Sequence, residues 1–158
     1  MRLLDNDDYA VFIDGDAQFL TTDFGNRLQY YIDTYPECGL FTARSNRIHQ
    51  SWQRAGDWDS DDIKEHRKYA VVIPKKTVTD VSNAPDNQLM SGVLIMIKKS
   101  TWKRLGGFKK DGMLGVDNDI HLQAKRCGEK VYLMDWIYLY HWYFGNNFNG
   151  RRNTEHLL

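Results

Sequence analysis

The chain has 158 residues, 42% of them hydrophobic and 13% aromatic, a composition that excludes a disordered or fibrous protein and sets one globular domain as the expected unit. Its 21 basic and 21 acidic side chains cancel, which excludes a whole-molecule field that would recruit nucleic acid or an anionic membrane. Cys38 and Cys127 are too few for a disulfide scaffold, and no apolar run approaches the ~20 residues of a membrane span, so the expectation is a cytoplasmic protein with two reduced thiols.

In chain order, Tyr9 to Ile13 is a short apolar run that ends in "DGD", the pattern of a buried strand opening into a loop. Thr22 is placed to cap a helix in which Phe24, Leu28, Tyr31, Ile32 and Tyr35 share a face until Pro36 stops it. Gly39 to Ala43 reads as the next strand. The stretch from Ile48 to Lys68 keeps no period and is expected to be a long loop or an ill-defined helix. "YAVVIP" and "KTVTDV" alternate like edge strands around Pro74, and "NAPDNQ" is a turn. Leu89 to Ile97, "LMSGVLIMI", is an almost unbroken apolar run, as in a central strand covered on both faces.

Ser100 is placed to cap a short helix, "TWKRL", ended by Gly106 and Gly107. Asp119 is expected to open the next helix, with Ile120, Ala124 and Cys127 on one face and Gly128 as its stop. "KVYLMDWIYLYHWY" closes the domain as strand. The expected unit is a single α/β domain over 1–145, with a mixed, mostly parallel sheet flanked by helices, and a loose tail over 146–158.

An Asp-Gly-Asp at a strand end puts hard oxygen ligands at the edge of a sheet, where open α/β folds bind ligands. Asp14 and Asp16 therefore suit Mg²⁺ or Mn²⁺ bridging to a phosphate, the alternative being a solvated acidic turn. In "GVDNDI", Asp119 has an ordinary role as helix cap. Asp117 lacks that role and is a candidate general base. His141, in the aromatic run "YLYHWYF", is either a packed core histidine or the imidazole that completes a metal site begun by carboxylates. "DWDSDD" fails as a calcium loop, because Asp62 stands at the required glycine and Lys68 at the closing glutamate.

The succession "YAVFIDGDAQF", "GLFTARSNR" and "MSGVLIMIKKSTWKRLGGFKKDGMLGVDNDIHLQAKRCGEKVYLMDWIYLYH", from about Tyr9 to His141, resembles the second half of family 2 glycosyltransferases of GT-A fold. The resemblance implies a partial or minimal GT-A domain that moves a sugar from a nucleotide-diphosphate donor to an acceptor hydroxyl with inversion, using Mn²⁺ or Mg²⁺. Asp16 would contact the metal, Asp14 the sugar nucleotide or a metal-bound water, and His141 would complete the site. Asp117 would be the base, with Val116 standing where the family keeps a glutamate. Ser91, Gly92, Asn118 and Trp142 would line the sugar and acceptor. The family's first half, which grips base and ribose, is expected to be missing, so that a second chain or a homo-oligomer would complete the nucleotide site.

Two rival readings remain at this stage. A haloacid-dehalogenase-like phosphatase would use Asp14 as nucleophile and Asp16 as acid/base, with Asp117 and Asp119 on Mg²⁺. A non-catalytic module would bind sugar through Trp52, Trp58, Trp102, Trp136 and Trp142.

Overall fold

The computed structural model describes residues 1–55, 60–73, 76–110 and 115–142, so the tail read over 146–158 lies outside the described residues, as does Trp58. Six strands form one sheet: β1 (Tyr9–Ile13), β2 (Ala17–Phe19), β3 (Cys38–Ser45), β4 (Val78–Asp80), β5 (Leu94–Lys98) and β6 (Lys130–His141). Their order is β1-β5-β3-β6-β2, with β4 also paired to β6. Among the described residues four helices accompany them, α1 (Phe24–Thr34), α2 (Ile63–Val72), α3 (Lys99–Leu105) and α4 (Val116–Arg126), with a 3₁₀ turn at Ser51–Gln53.

Alternation along the strands divides the core. Phe41, Leu94, Met96 and Met134 face α1, where Leu28 and Tyr31 meet them. Leu40, Ile95, Ile97 and Val131 face the other way, onto Leu105 of α3 and Ile120 and Ala124 of α4. The period of two in the strands and of three to four in the helices makes these faces.

The sheet is mixed, as expected, but it is not mostly parallel. β1–β5, β3–β5, β2–β6 and β4–β6 are antiparallel, and β3–β6 alone is parallel. An unbroken apolar strand such as β5 reports cover on both faces. It carries no information about the direction of its neighbours, and helices cover this antiparallel centre on both sides.

Local capping and packing account for the other departures. Tyr69 to Val72, read as an edge strand, ends helix α2. Asp62 caps that helix by accepting the Lys64 N–H at 2.8 Å, and Ile63, His66, Ala70 and Ile73 then fall on one inward stripe. Val71 and Val72, the β-branched pair that mimics a strand, are 62% and 69% exposed. Helix α1 starts one residue after the expected Thr22 cap, at Asp23, whose carboxylate is taken by Arg27 at 3.0 Å rather than by a backbone N–H. Ser100 lies inside the first turn of α3, which follows β5 directly from Lys98. Gly106 ends that helix as expected, in the left-handed conformation with φ 75°.

The strand expected from Leu89 begins only at Leu94, because three successive backbone donors before it are claimed by side chains. Met90 N–H goes to His121 Nδ1 (2.8 Å), Ser91 N–H to Gln53 Oε1 (2.9 Å) and Gly92 N–H to Asp117 Oδ2 (2.8 Å). Side-chain acceptors replace the ladder there. Both cysteines are free thiols, Cys38 buried and Cys127 exposed. No helix among the described residues is long and apolar enough to cross a membrane.

Candidate metal centre

Three elements bring Asp14, Asp16 and His141 together. β1 delivers Asp14 at its end, where Asp14 N–H still bonds Val93 O at 3.2 Å, and a tight turn closes with Ala17 N–H on Asp14 O at 3.0 Å. β2 then pairs with β6 in the register Ala17↔His141, and Trp142 N–H donates to Asp16 O at 3.0 Å. Asp16 is thus fixed beside His141 by strand pairing, 125 residues away in sequence. One ligand atom from each of the three side chains lies within 4.8 Å of the other two.

The imidazole is oriented from behind. His141 Nδ1 lies 2.8 Å from Arg47 O; a carbonyl only accepts, so Nδ1 carries the hydrogen. Nε2 therefore faces the carboxylates, 3.2 Å from Asp16 Oδ1 and 3.7 Å from Asp14 Oδ2. The buried Asn46 fixes the backbone of the same residue with both ends of its amide: Oδ1 accepts His141 N–H at 2.8 Å and Nδ2 donates to His141 O at 3.2 Å. Arg47 is anchored in turn through Nη2 to Asp61 Oδ1 at 2.6 Å and Ser60 O at 3.2 Å.

A neutral imidazole in this tautomer presents its Nε2 lone pair to two anionic groups. That arrangement is favourable with a proton shared between Nε2 and a carboxylate, or with a cation among the three ligands. A ring N–H donated to a backbone carbonyl while the other nitrogen faces the ligand position is the usual second-shell arrangement of a metal-binding histidine. Two carboxylates and one imidazole suit Mn²⁺ and accept Mg²⁺. The residues present fit a divalent cation.

Burial pushes the Asp14 carboxyl above its ordinary 3.8; His141 opposes this, while the Asp16 and Asp117 charges add to it. Because the folded state favours the protonated form, this stability is present below the unfolded value and is lost as pH rises through the raised one. Without metal, Asp14→Asn is therefore expected to melt at a higher temperature than wild type at pH 7. The difference should vanish below pH ~4, as a pH series of melting curves would show. Mn²⁺ should stabilise wild type only.

Asp117 is close enough for its charge to act on Asp14, and it is not outside a helix. Helix α4 begins after Gly115 (φ 80°), which places Asp117 and Asp119 both in the first turn. Asp119 is therefore not the cap; its Oδ2 accepts from Gln123 Nε2, and its backbone N–H bonds Gly115 O at 3.0 Å. Asp117 Oδ1 accepts the Asn118 N–H at 2.8 Å, satisfying one first-turn donor of α4, while its Oδ2 is turned toward Gly92. A Cβ on Gly92 would lie 2.7 Å from Asp117 Cβ. Gly92→Ala is thus expected to cost about 1–3 kcal/mol by overpacking, measured by urea denaturation, and to displace the Asp117 carboxylate.

The remaining sequence-derived candidates are only partly turned toward this centre. Ser91 is held by Gln53 through both backbone groups. Asn118 spends its Nδ2 on Met90 O at 2.9 Å. Trp142 sits edge-on to Tyr140 with ring centroids 4.7 Å apart and joins the site through its backbone bond to Asp16. Trp52 donates its indole N–H to Gln88 O at 3.0 Å, and Trp136 lies under Arg27 and Lys76, each 4.6 Å from the ring centroid. Sequence reasoning missed Asn46, Arg47, Gln53 and His121. Asn46 and Arg47 end the "GLFTARSNR" segment, where two polar residues directly after a buried strand were the available signal. Gln53 and His121 carried none.

No protein-family model matches the chain, and no curated protein or solved structure matches it either.

Proposed function

We propose that this protein is a metal-dependent glycosyltransferase that takes a sugar from a nucleotide-diphosphate donor and delivers it to an acceptor hydroxyl. The observation that carries the reading is the meeting of Asp14, Asp16 and a tautomer-fixed His141 Nε2, with Asp117 near enough for its charge to act on Asp14. The likeness of motif order to the GT-A glycosyltransferases adds to it. Asp14, Asp16 and His141 would hold Mn²⁺ or Mg²⁺, which when bound supplies charge stabilisation for the departing diphosphate.

In the chain's own part of the reaction, Asp117 accepts the proton of the acceptor hydroxyl as that oxygen bonds to the anomeric carbon. The bond from that carbon to the diphosphate oxygen breaks, and its electron pair leaves with the nucleotide. The N–H groups of Gly92 and Asn118 keep the base oriented by holding one oxygen each. Inversion follows from attack opposite the leaving group.

The phosphatase reading requires Asp117 and Asp119 beside Asp14 on one metal. Asp119 is committed to Gln123, and the third member of the cluster is His141, for which that chemistry has no role. The test is release of UDP or GDP from their sugar conjugates with Mn²⁺ present, with p-nitrophenyl phosphate as the phosphatase control. Wild type should release diphosphate and leave the phosphomonoester intact. Asp117→Asn should bind UDP with Mn²⁺ as wild type does, yet turn over about 10²–10⁴-fold more slowly. Hydrolysis of the phosphomonoester alone would replace this reading with the phosphatase.

A further inference from the structure

A cavity of about 460 Å³ lies between helix α2 and the sheet, and none of its lining residues belongs to the Asp14, Asp16 and His141 group. A break in strand pairing accompanies it. β3 and β6 pair as far as Ala43↔Met134, and the next pair is Arg44↔Tyr138, so the register passes over Asp135 and the two residues after it. Irregularities of this kind re-aim side chains. Here Asp135 is buried against the cavity. Arg44 donates Nε and Nη2 to its Oδ1, and Thr77 and Thr79 donate their hydroxyls to its Oδ2 at 3.1 and 3.2 Å.

These bonds fix what the cavity offers. A hydroxyl has one hydrogen and two lone pairs; with their hydrogens on Asp135, Thr77 and Thr79 present acceptors alone. Arg44 and Asp135 neutralise each other. Arg54 is the uncompensated charge: it is exposed, its Nε donates to Ile48 O at 2.7 Å, and its two Nη groups have no partner among the described residues. The α2 wall is largely apolar, formed by Tyr69, Ile73 and Val72, the last left 69% exposed.

The occupant follows from these groups. One uncompensated guanidinium selects one negative charge, and a planar pair of Nη groups suits a carboxylate. A phosphate dianion would meet the Asp135 carboxylate with no second cation to balance it. Threonine oxygens that only accept require hydroxyl donors on the ligand, and the Tyr69 ring with its aliphatic neighbours suits a C–H face. The volume is that of a small-molecule site. We propose that this cavity binds, without metal, a small carboxylate that carries several hydroxyl groups, a sugar acid.

The probe is D-glucuronate, titrated by calorimetry into the wild type with chelator present. It should bind saturably at one site per chain. Glucose, which lacks the carboxylate, and cyclohexanecarboxylate, which lacks the hydroxyls, should each bind about tenfold more weakly. Arg54→Gln and Thr79→Val change exposed side chains, and Asp135 keeps Arg44 and Thr77 in the second; each should weaken glucuronate about tenfold. No saturable binding, unchanged binding in Arg54→Gln, or equal binding of glucose or cyclohexanecarboxylate overturns the proposal. So does binding that appears only when Mn²⁺ replaces the chelator, which would put the sugar acid at the metal centre.

Discussion

Asp16→Ala is expected to lower Mn²⁺ affinity by about 100-fold or more while leaving the metal-free fold intact. Asp16 is half-buried at the start of β2, its carboxylate is the nearer of the two facing His141 Nε2 at 3.2 Å, and its backbone bond to Trp142 does not depend on the side chain. Losing one of three protein ligands leaves too few to compete with water for a hard cation. Thermal unfolding with and without metal checks this: wild type should gain about 2.7 kcal/mol at a hundredfold excess over its Kd, and the variant at the same metal concentration about 0.4 kcal/mol or less. An equal gain in both would place the metal elsewhere.

The second large effect belongs to a residue that touches no metal. Asn46→Ala removes the two hydrogen bonds that its amide makes to the backbone N–H and C=O of the buried His141. Losing both costs about 1–3 kcal/mol, read from denaturant melts. The imidazole also loses its fixed placement, which should weaken Mn²⁺ binding about 10–100-fold. A variant that is destabilised but binds Mn²⁺ normally would assign Asn46 to the fold alone. Asn46 thus connects fold and site: β3 and β6 pair in parallel up to Ser45↔Leu139, and the next side chain continues the ladder in place of backbone.

Much of the fold was legible wherever a pattern is local. β1, α1, β3, α4 and β6 follow from apolar periodicity with glycine and proline punctuation. Strand direction was not legible, because a strand covered on both faces looks the same with parallel or antiparallel neighbours. Helix α2 was hidden by the Val71–Val72 pair, whose side chains point outward and so report nothing about burial.

The site divides the same way. Asp14 and Asp16 were visible because strand-then-acid is a contiguous signal, and Asp117 because its neighbour offered an ordinary cap explanation. The start of α4 at Gly115 shows that this explanation was the wrong one for Asp119, while Asp117 keeps its place beside Gly92. His141 was ambiguous in an aromatic run, and what resolves its orientation is a contact with a carbonyl 94 residues earlier in sequence. Long-range pairings of that kind leave no periodicity to read.

In the proposed centre, Nε2 of His141 faces a cation held by Asp14 and Asp16. Pulsed electron paramagnetic resonance of Mn²⁺ bound to the protein measures this directly. One bound Mn²⁺ per chain is expected, with a nitrogen coupling from a single imidazole that is lost in His141→Ala. Bound Mn²⁺ without nitrogen coupling, or no bound Mn²⁺ in the folded wild type, would contradict it.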